Sequence, residues 1–303
     1  MFSYLLGMMA MIIYNQMYGV GTIITTIDQY EKILNKVLKL PAISAVDDSI
    51  KSLAVGITLL LFFADLSAKV TEKNFSIEQF FKALLRSVTA YMFIMNSDVI
   101  VGYLIDVGQA MATDIKTQVT GYEYFIGENK EMLINGIANM KILEILSYIV
   151  PALIPWLLAL ISEVILQVIL ISRMFEITVM TIFAPLAISD IYREGTSSNG
   201  VTYIKKMLAL SLQITVIILI NVATSAIVSA IVGSTAATDV ASLLKVSEET
   251  TVSGKVYTSE SIIEFLDVIT GNEDKDKVFG IMLARIGLIW SSMPLCEEIT
   301  GAK

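Results

Sequence analysis

The side chains that carry acid–base or ligand chemistry are few in this chain. It has no histidine and one cysteine, Cys296, which removes the usual general base, the common zinc ligand sets and any internal disulfide. No glycine loop with phosphate-cradling spacing and no nucleophile elbow is present, so no catalytic, cofactor-binding or metal-binding residues are expected. What remains are ionisable and amide side chains set inside apolar runs. Glu163 and Gln167 are four residues apart, Arg173 and Glu176 are three apart, and Pro185 interrupts the run ISRMFEITVMTIFAPLAISD. Asn221 recurs at a spacing of four with Ser225 and Ser229, and Lys205 and Lys206 close a polar stretch. A charge placed in hydrocarbon costs several kcal/mol unless it is paired or faces water.

Each of these groups has a structural and a functional reading. Glu163 and Gln167 share a helical face, which suits either an interhelical hydrogen bond or the polar lining of a cavity. Arg173 and Glu176 have the spacing of a helical ion pair, either a snorkelling pair at a membrane boundary or a gating or intersubunit contact. Pro185 removes one backbone hydrogen bond and should kink or unwind the run around it. Asn221 and the serines below it form a small polar stripe of the kind that brings helices close. Lys205 and Lys206 read as membrane-edge anchors.

The elements that must hold these residues are apolar helices. The chain has 303 residues, of which 55% are hydrophobic and only 17% charged, against about 45–50% and 25% in soluble domains. The charges lie in the gaps between apolar blocks. The expected fold class is all-α, a polytopic membrane protein with about five transmembrane helices, an N-terminal amphipathic helix and a C-terminal apolar helix. The net charge of −8 argues against a general nucleic-acid binder, which needs a basic stripe. The opening run MFSYLLGMMAMIIYNQ has no basic residue before its apolar core, the first being Lys32, so it lacks the charged start of a secretory signal.

Along the chain, residues 1–47 read as an apolar lead and an amphipathic helix. Ile23, Ile27, Tyr30, Leu34 and Val37 line one face and Pro41 stops it. Such a helix lies on a membrane or packs on a partner helix. Residues 48–105 hold two spans, 50–68 and 88–105, with Ser76 and Gln79 in capping-box spacing ahead of the second. Residues 106–144 are polar, with six acids and three lysines, and form an extracytoplasmic loop. Residues 145–232 are the transmembrane core, with spans at 145–172, 177–189 and 207–232. The last has no charge over 26 positions, enough to cross about 30 Å of hydrocarbon. Residues 233–278 are acidic and soluble in character, and 279–303 form an apolar helix and tail broken by Arg285.

The net +2 connection 69–86 belongs in the cytoplasm by the positive-inside rule. The placement of 177–189 is then open. If it crosses, the acidic 233–278 segment lies inside; if it is re-entrant, Lys205 and Lys206 lie inside, which suits the charge rule better.

The stretch 170–230 carries a recognisable order of residues. Arg173-Met-Phe-Glu176 heads an apolar run. Ala184-Pro185-Leu186-Ala187, Asp190-Ile-Tyr192, a polar loop over 195–200, Tyr203-Ile-Lys205-Lys206 and a long apolar helix with Gln213 follow. This resembles the TrbL-like polytopic channel proteins of conjugative type IV secretion systems, in the form carried by Gram-positive conjugative elements. Thr178-Val-Met180 stands where the family has a second basic residue, so no role of that charge carries over. The resemblance implies a multi-pass subunit of a DNA-transfer channel in the inner (cytoplasmic) membrane. Its expected partners are further copies of itself in a homo-oligomer, secretion ATPases and a coupling protein, the lipid bilayer, and transferred DNA in transient contact. It also favours 177–189 as a crossing segment. The external loop, net −3, repels phosphates and suits protein contacts or a non-adhesive lining. Two other classes fit the same polar groups. A small-molecule secondary transporter would use Glu163, Gln167 and the Pro185 break, although no internal repeat supports it; a membrane scaffold or permeabilising protein would need none of them.

Overall fold

A computed structural model of the chain describes residues 5–9, 12–13, 16, 21–71, 76–118, 141–189, 199–231 and 275–302. Among the described residues every regular element is an α-helix. The long ones are α1 (Gly21–Leu38), α2 (Pro41–Val70), α3 (Ile77–Met95), α4 (Ser97–Gln118), α5 (Ile142–Ser189), α6 (Asn199–Ile231), α7 (Lys275–Trp290) and α8 (Ser292–Thr300). Three of them, α2, α5 and α6, are long and apolar enough to cross a membrane. The bent pairs α3/α4 and α7/α8 raise the number to five if each is one span. The protein is an all-α polytopic membrane protein.

Local sequence explains several boundaries. On α1 the face bearing Ile23, Ile27 and Leu34 is buried, as its spacing predicts. Pro41 does more than stop that helix: it is the first residue of α2, where its missing N–H is no loss. At the start of α3 the expected capping box is present, with Ser76 Oγ accepting from the Gln79 backbone N–H and Gln79 Oε1 accepting from the Ser76 backbone N–H.

The partition into spans differs from the sequence expectation in three places. The span expected at 88–105 is broken at Asn96, and α3 and α4 meet at 58°. Asn96 Nδ2 takes the Met92 carbonyl at 2.7 Å and Ser97 Oγ takes the Ile94 carbonyl at 2.8 Å. The Met92 carbonyl also keeps its backbone bond from Asn96 N–H at 3.2 Å, so these side chains compete with the backbone for the carbonyls of the last turn. The expected spans 145–172 and 177–189 are one uninterrupted helix, the 48-residue α5. No break separates the two expected spans, and the helix does not unwind at Pro185. At 1.5 Å per residue α5 is about 72 Å long, more than twice the hydrocarbon thickness of about 30 Å. Finally, residues 106–118 of the expected external loop are helical, as the second half of α4. Residues 119–140 and 232–274, the remainder of that loop and most of the acidic segment, lie outside the described residues.

The chain divides into two compact units. The first comprises Met1–Thr26, Asp114–Val168 and Ile217–Ser291, and the second Ile27–Thr113, Ile169–Val216 and Ser292–Lys303. The second unit has a core of Leu34, Val101, Ile105, Ile177, Ala184, Ile188, Met207 and Leu210. Within it α4 and α6 approach closely, where Gly108 faces the backbone of Ser211 with no room for a methyl group. Of the apolar windows in the candidate spans, that of α6 is 61% buried and that of α2 only 11%. Hence α6 is the more buried of the two, while α2 presents Leu53, Leu59, Leu60 and Phe63 outward. An outward apolar face of that kind is what lipid contact requires.

Candidate functional site

The polar side chains on the apolar helices form two sets, one in each unit. In the first unit Glu163 of α5 accepts a hydrogen bond from Gln16 Nε2 at 3.1 Å. The same Gln16 accepts from Trp156 Nε1 at 2.9 Å. Trp156 and Glu163 lie seven residues apart, two turns along one face, so a single amide from the N-terminal segment spans both. The partner of Glu163 is thus Gln16 rather than its helical neighbour Gln167, which is exposed.

Also in this unit, Arg285 of α7 is buried, and its Nε donates to Asn221 Oδ1 at 2.8 Å. Asn221 uses its own Nδ2 on the Ile217 carbonyl at 2.7 Å. Both ends of this amide are occupied, and the negative charge of Glu163 acts on the guanidinium. Ser225, one turn beyond, is buried too, while the side chain of Ser229 lies outside the described residues. A cation in an apolar helix, held by an amide and offset by a carboxylate, is the pairing that makes an intramembrane charge tolerable.

In the second unit Arg173 and Glu176 do not pair. Arg173 is 4% exposed and donates from Nε to the Leu210 carbonyl of α6 at 2.8 Å. Glu31 of α1 supplies the opposing charge. Glu176 instead meets Lys206 Nζ at 3.2 Å. The three-residue spacing put both side chains on one face of α5, but the neighbouring helices supply better partners. Arg173 points into the packed interior, where a backbone carbonyl and an acid are at hand. Glu176 lies at the edge, its side chain 39% exposed against 43% for Lys206. Lys205 is exposed.

The remaining contacts of this unit are also clamps. Tyr203 donates its hydroxyl to the Met180 carbonyl, and Gln213 donates to Ser292 of α8 at 3.0 Å. Thr215 bonds the Gly108 carbonyl at 3.4 Å. Lys51 of α2 lies between Asp47 at 2.9 Å and Asp98 of α4 at 3.3 Å. Pro185 is buried beside Ala184 and Ile188 of the core.

The structure therefore brings Glu163, Asn221 and Arg285 into one unit and Arg173, Glu176 and Lys206 into the other. Most bonds made by these polar groups go to another helix of the same unit. Gln16 and Gly108 had no distinguishing signal in the sequence, and Tyr203 stood out only as part of the residue order over 170–230. Arg285 had one: it is the single charge in the run 279–296.

Residues 46–185 match the family model described as TrbL/VirB6 plasmid conjugal transfer like protein. No curated protein and no solved structure matches the chain. The matched region covers nearly all of α2, all of α3 and α4, and α5 as far as Pro185. It therefore includes Glu163, Gln167, Arg173 and Glu176, and ends before Lys205, Lys206, Asn221 and Arg285. The matched region thus lies mostly upstream of the residue order over 170–230, and the two share residues 170–185. Over residues 46–185, a little under half of its length, the chain is similar to the TrbL/VirB6 plasmid conjugal transfer family, and it is a polytopic membrane protein.

Proposed function

We propose that this chain is a subunit of a conjugative type IV secretion channel in the cytoplasmic membrane, where it helps DNA or protein cross. The family match over residues 46–185 carries the reading. The outward apolar faces of α2, α3 and α5 support the membrane placement. In this role the chain works as a homo-oligomer beside secretion ATPases and a coupling protein, with transient contact to the transferred DNA. Glu163, Arg173, Glu176, Pro185 and Asn221 serve it by holding helices in register. Gln167, exposed on α5, faces lipid or a neighbouring subunit, and Lys205 and Lys206 anchor the membrane edge.

Affinity capture of the tagged chain from cytoplasmic membranes of donor cells tests this role. The capture is expected to recover the element's secretion ATPase and coupling protein together with untagged copies of the chain. Recovery of the tagged chain by itself from mating donors counts against a channel subunit.

A further inference from the structure

Helix α1 turns its apolar face inward. Ile23, Ile27 and Leu34 are buried, and Leu34 and Leu38 pack into the core of the second unit. The opposite face carries Lys32, Lys36 and Lys39, all exposed and spaced by four and three, so they form one row. Ile33, 44% exposed, and Leu40, 48% exposed, lie among them. None of the three lysines makes a side-chain hydrogen bond or ion pair among the described residues.

The row is a product of folding rather than of composition. Residues 28–51 contain four acids (Asp28, Glu31, Asp47, Asp48) and four lysines (Lys32, Lys36, Lys39, Lys51), which balance. The fold sorts them. Glu31 is half-buried and acts on the buried Arg173, Asp28 is half-buried, and Asp47 is engaged by Lys51 at 2.9 Å. Of the acids only Asp48 is exposed, while three of the lysines point outward.

Position then selects the partner. Two residues, Lys39 and Leu40, separate α1 from α2, a candidate membrane span. A helix tethered so closely to a span is kept near the headgroup layer. Exposed lysines interleaved with exposed apolar side chains suit that layer, because lysine stems lie along apolar surface while the ammonium groups reach phosphates. A nucleic acid fits less well. The row covers only about 10 Å of helix, and Ile33 and Leu40 have no partner on a phosphate backbone. We propose that the Lys32/Lys36/Lys39 face of α1 binds the headgroups of anionic phospholipids. This holds whether or not the chain serves conjugation.

The test uses the full-length protein with Cys296→Ser and a fluorophore on Asn35→Cys, an exposed position beside the row. The protein is placed in phosphatidylcholine nanodiscs doped with spin-labelled phosphatidylglycerol or, separately, with spin-labelled phosphatidylcholine. Phosphatidylglycerol is expected to quench at least about threefold more strongly, since each lysine near an anionic surface contributes measurably. The preference should fade at high salt, persist in the Lys32→Arg/Lys36→Arg/Lys39→Arg variant and vanish in the corresponding triple Gln variant. The salt response and the Arg variant keep the test decisive whatever the yield of the Gln variant. Equal quenching by the two lipids, or a preference indifferent to salt, overturns the proposal. So does a fluorescence response to a single-stranded oligonucleotide without any lipid preference, which assigns the face to nucleic acid.

Discussion

Arg285 on α7 donates from Nε to Asn221 Oδ1 on α6 at 2.8 Å, and both side chains are buried. The bond fastens the short, charge-bearing α7 to the most buried of the three candidate spans. Removing one partner strands the other in an apolar setting. Asn221→Leu should destabilise the detergent-solubilised protein by about 3 kcal/mol, read as a lower midpoint of thermal unfolding. Adding Arg285→Met should recover much of that loss, because the buried charge leaves with its partner. A double variant as unstable as the sum of the two singles shows that the pair is not coupled.

Gly108 and Gly102 lie on the same helix and should respond in opposite ways. A Cβ at Gly108 collides with the Ser211 backbone, whereas one at Gly102 meets nothing within 4 Å. Gly108→Ala should cut the yield of monodisperse protein in size-exclusion chromatography. Gly102→Ala should be tolerated or stabilising, by up to about 1 kcal/mol from helix propensity. Equal behaviour of the two variants contradicts the close α4/α6 contact.

Arg173 and Glu176 are neighbours in sequence but differ in burial. Arg173→Ala strips a donor from the Leu210 carbonyl and leaves Glu31 without its counter-charge, at a cost of about 3–5 kcal/mol. Glu176→Ala breaks a half-exposed pair with Lys206, worth at most about 1 kcal/mol. Thermal unfolding of both variants in one detergent ranks them, and a larger loss in Glu176→Ala reverses the assignment.

Thr71, exposed at the end of α2, reports sidedness. In a Cys296→Ser background, Thr71→Cys should resist membrane-impermeant maleimide in intact cells and react once the membrane is opened. Labelling from outside intact cells places the basic 69–86 connection on the outer side and inverts the topology.

Periodicity and caps made the local elements legible. The buried face of α1 follows from Ile23, Ile27 and Leu34, and the start of α3 follows from Ser76 and Gln79. Helix length was less accessible. The charges at Arg173 and Glu176 and the ring of Pro185 resemble punctuation, yet α5 runs through all three, with Arg173 engaging the Leu210 carbonyl, Glu176 engaging Lys206 and core packing enclosing the proline. The break at Asn96 was hidden for the converse reason, since one asparagine in an apolar run carries little signal until its side chain is seen on the Met92 carbonyl. Partners were the least accessible feature. Sequence spacing shows neighbours on one helix, and Glu163 finds Gln16 from 147 positions away.

The most direct test of the central claim is the frequency of conjugative transfer. An in-frame deletion of this chain from its element should abolish transfer while donor growth stays normal, and the intact gene supplied in trans should restore it. Transfer at the parental frequency in the deletion contradicts a role in the channel.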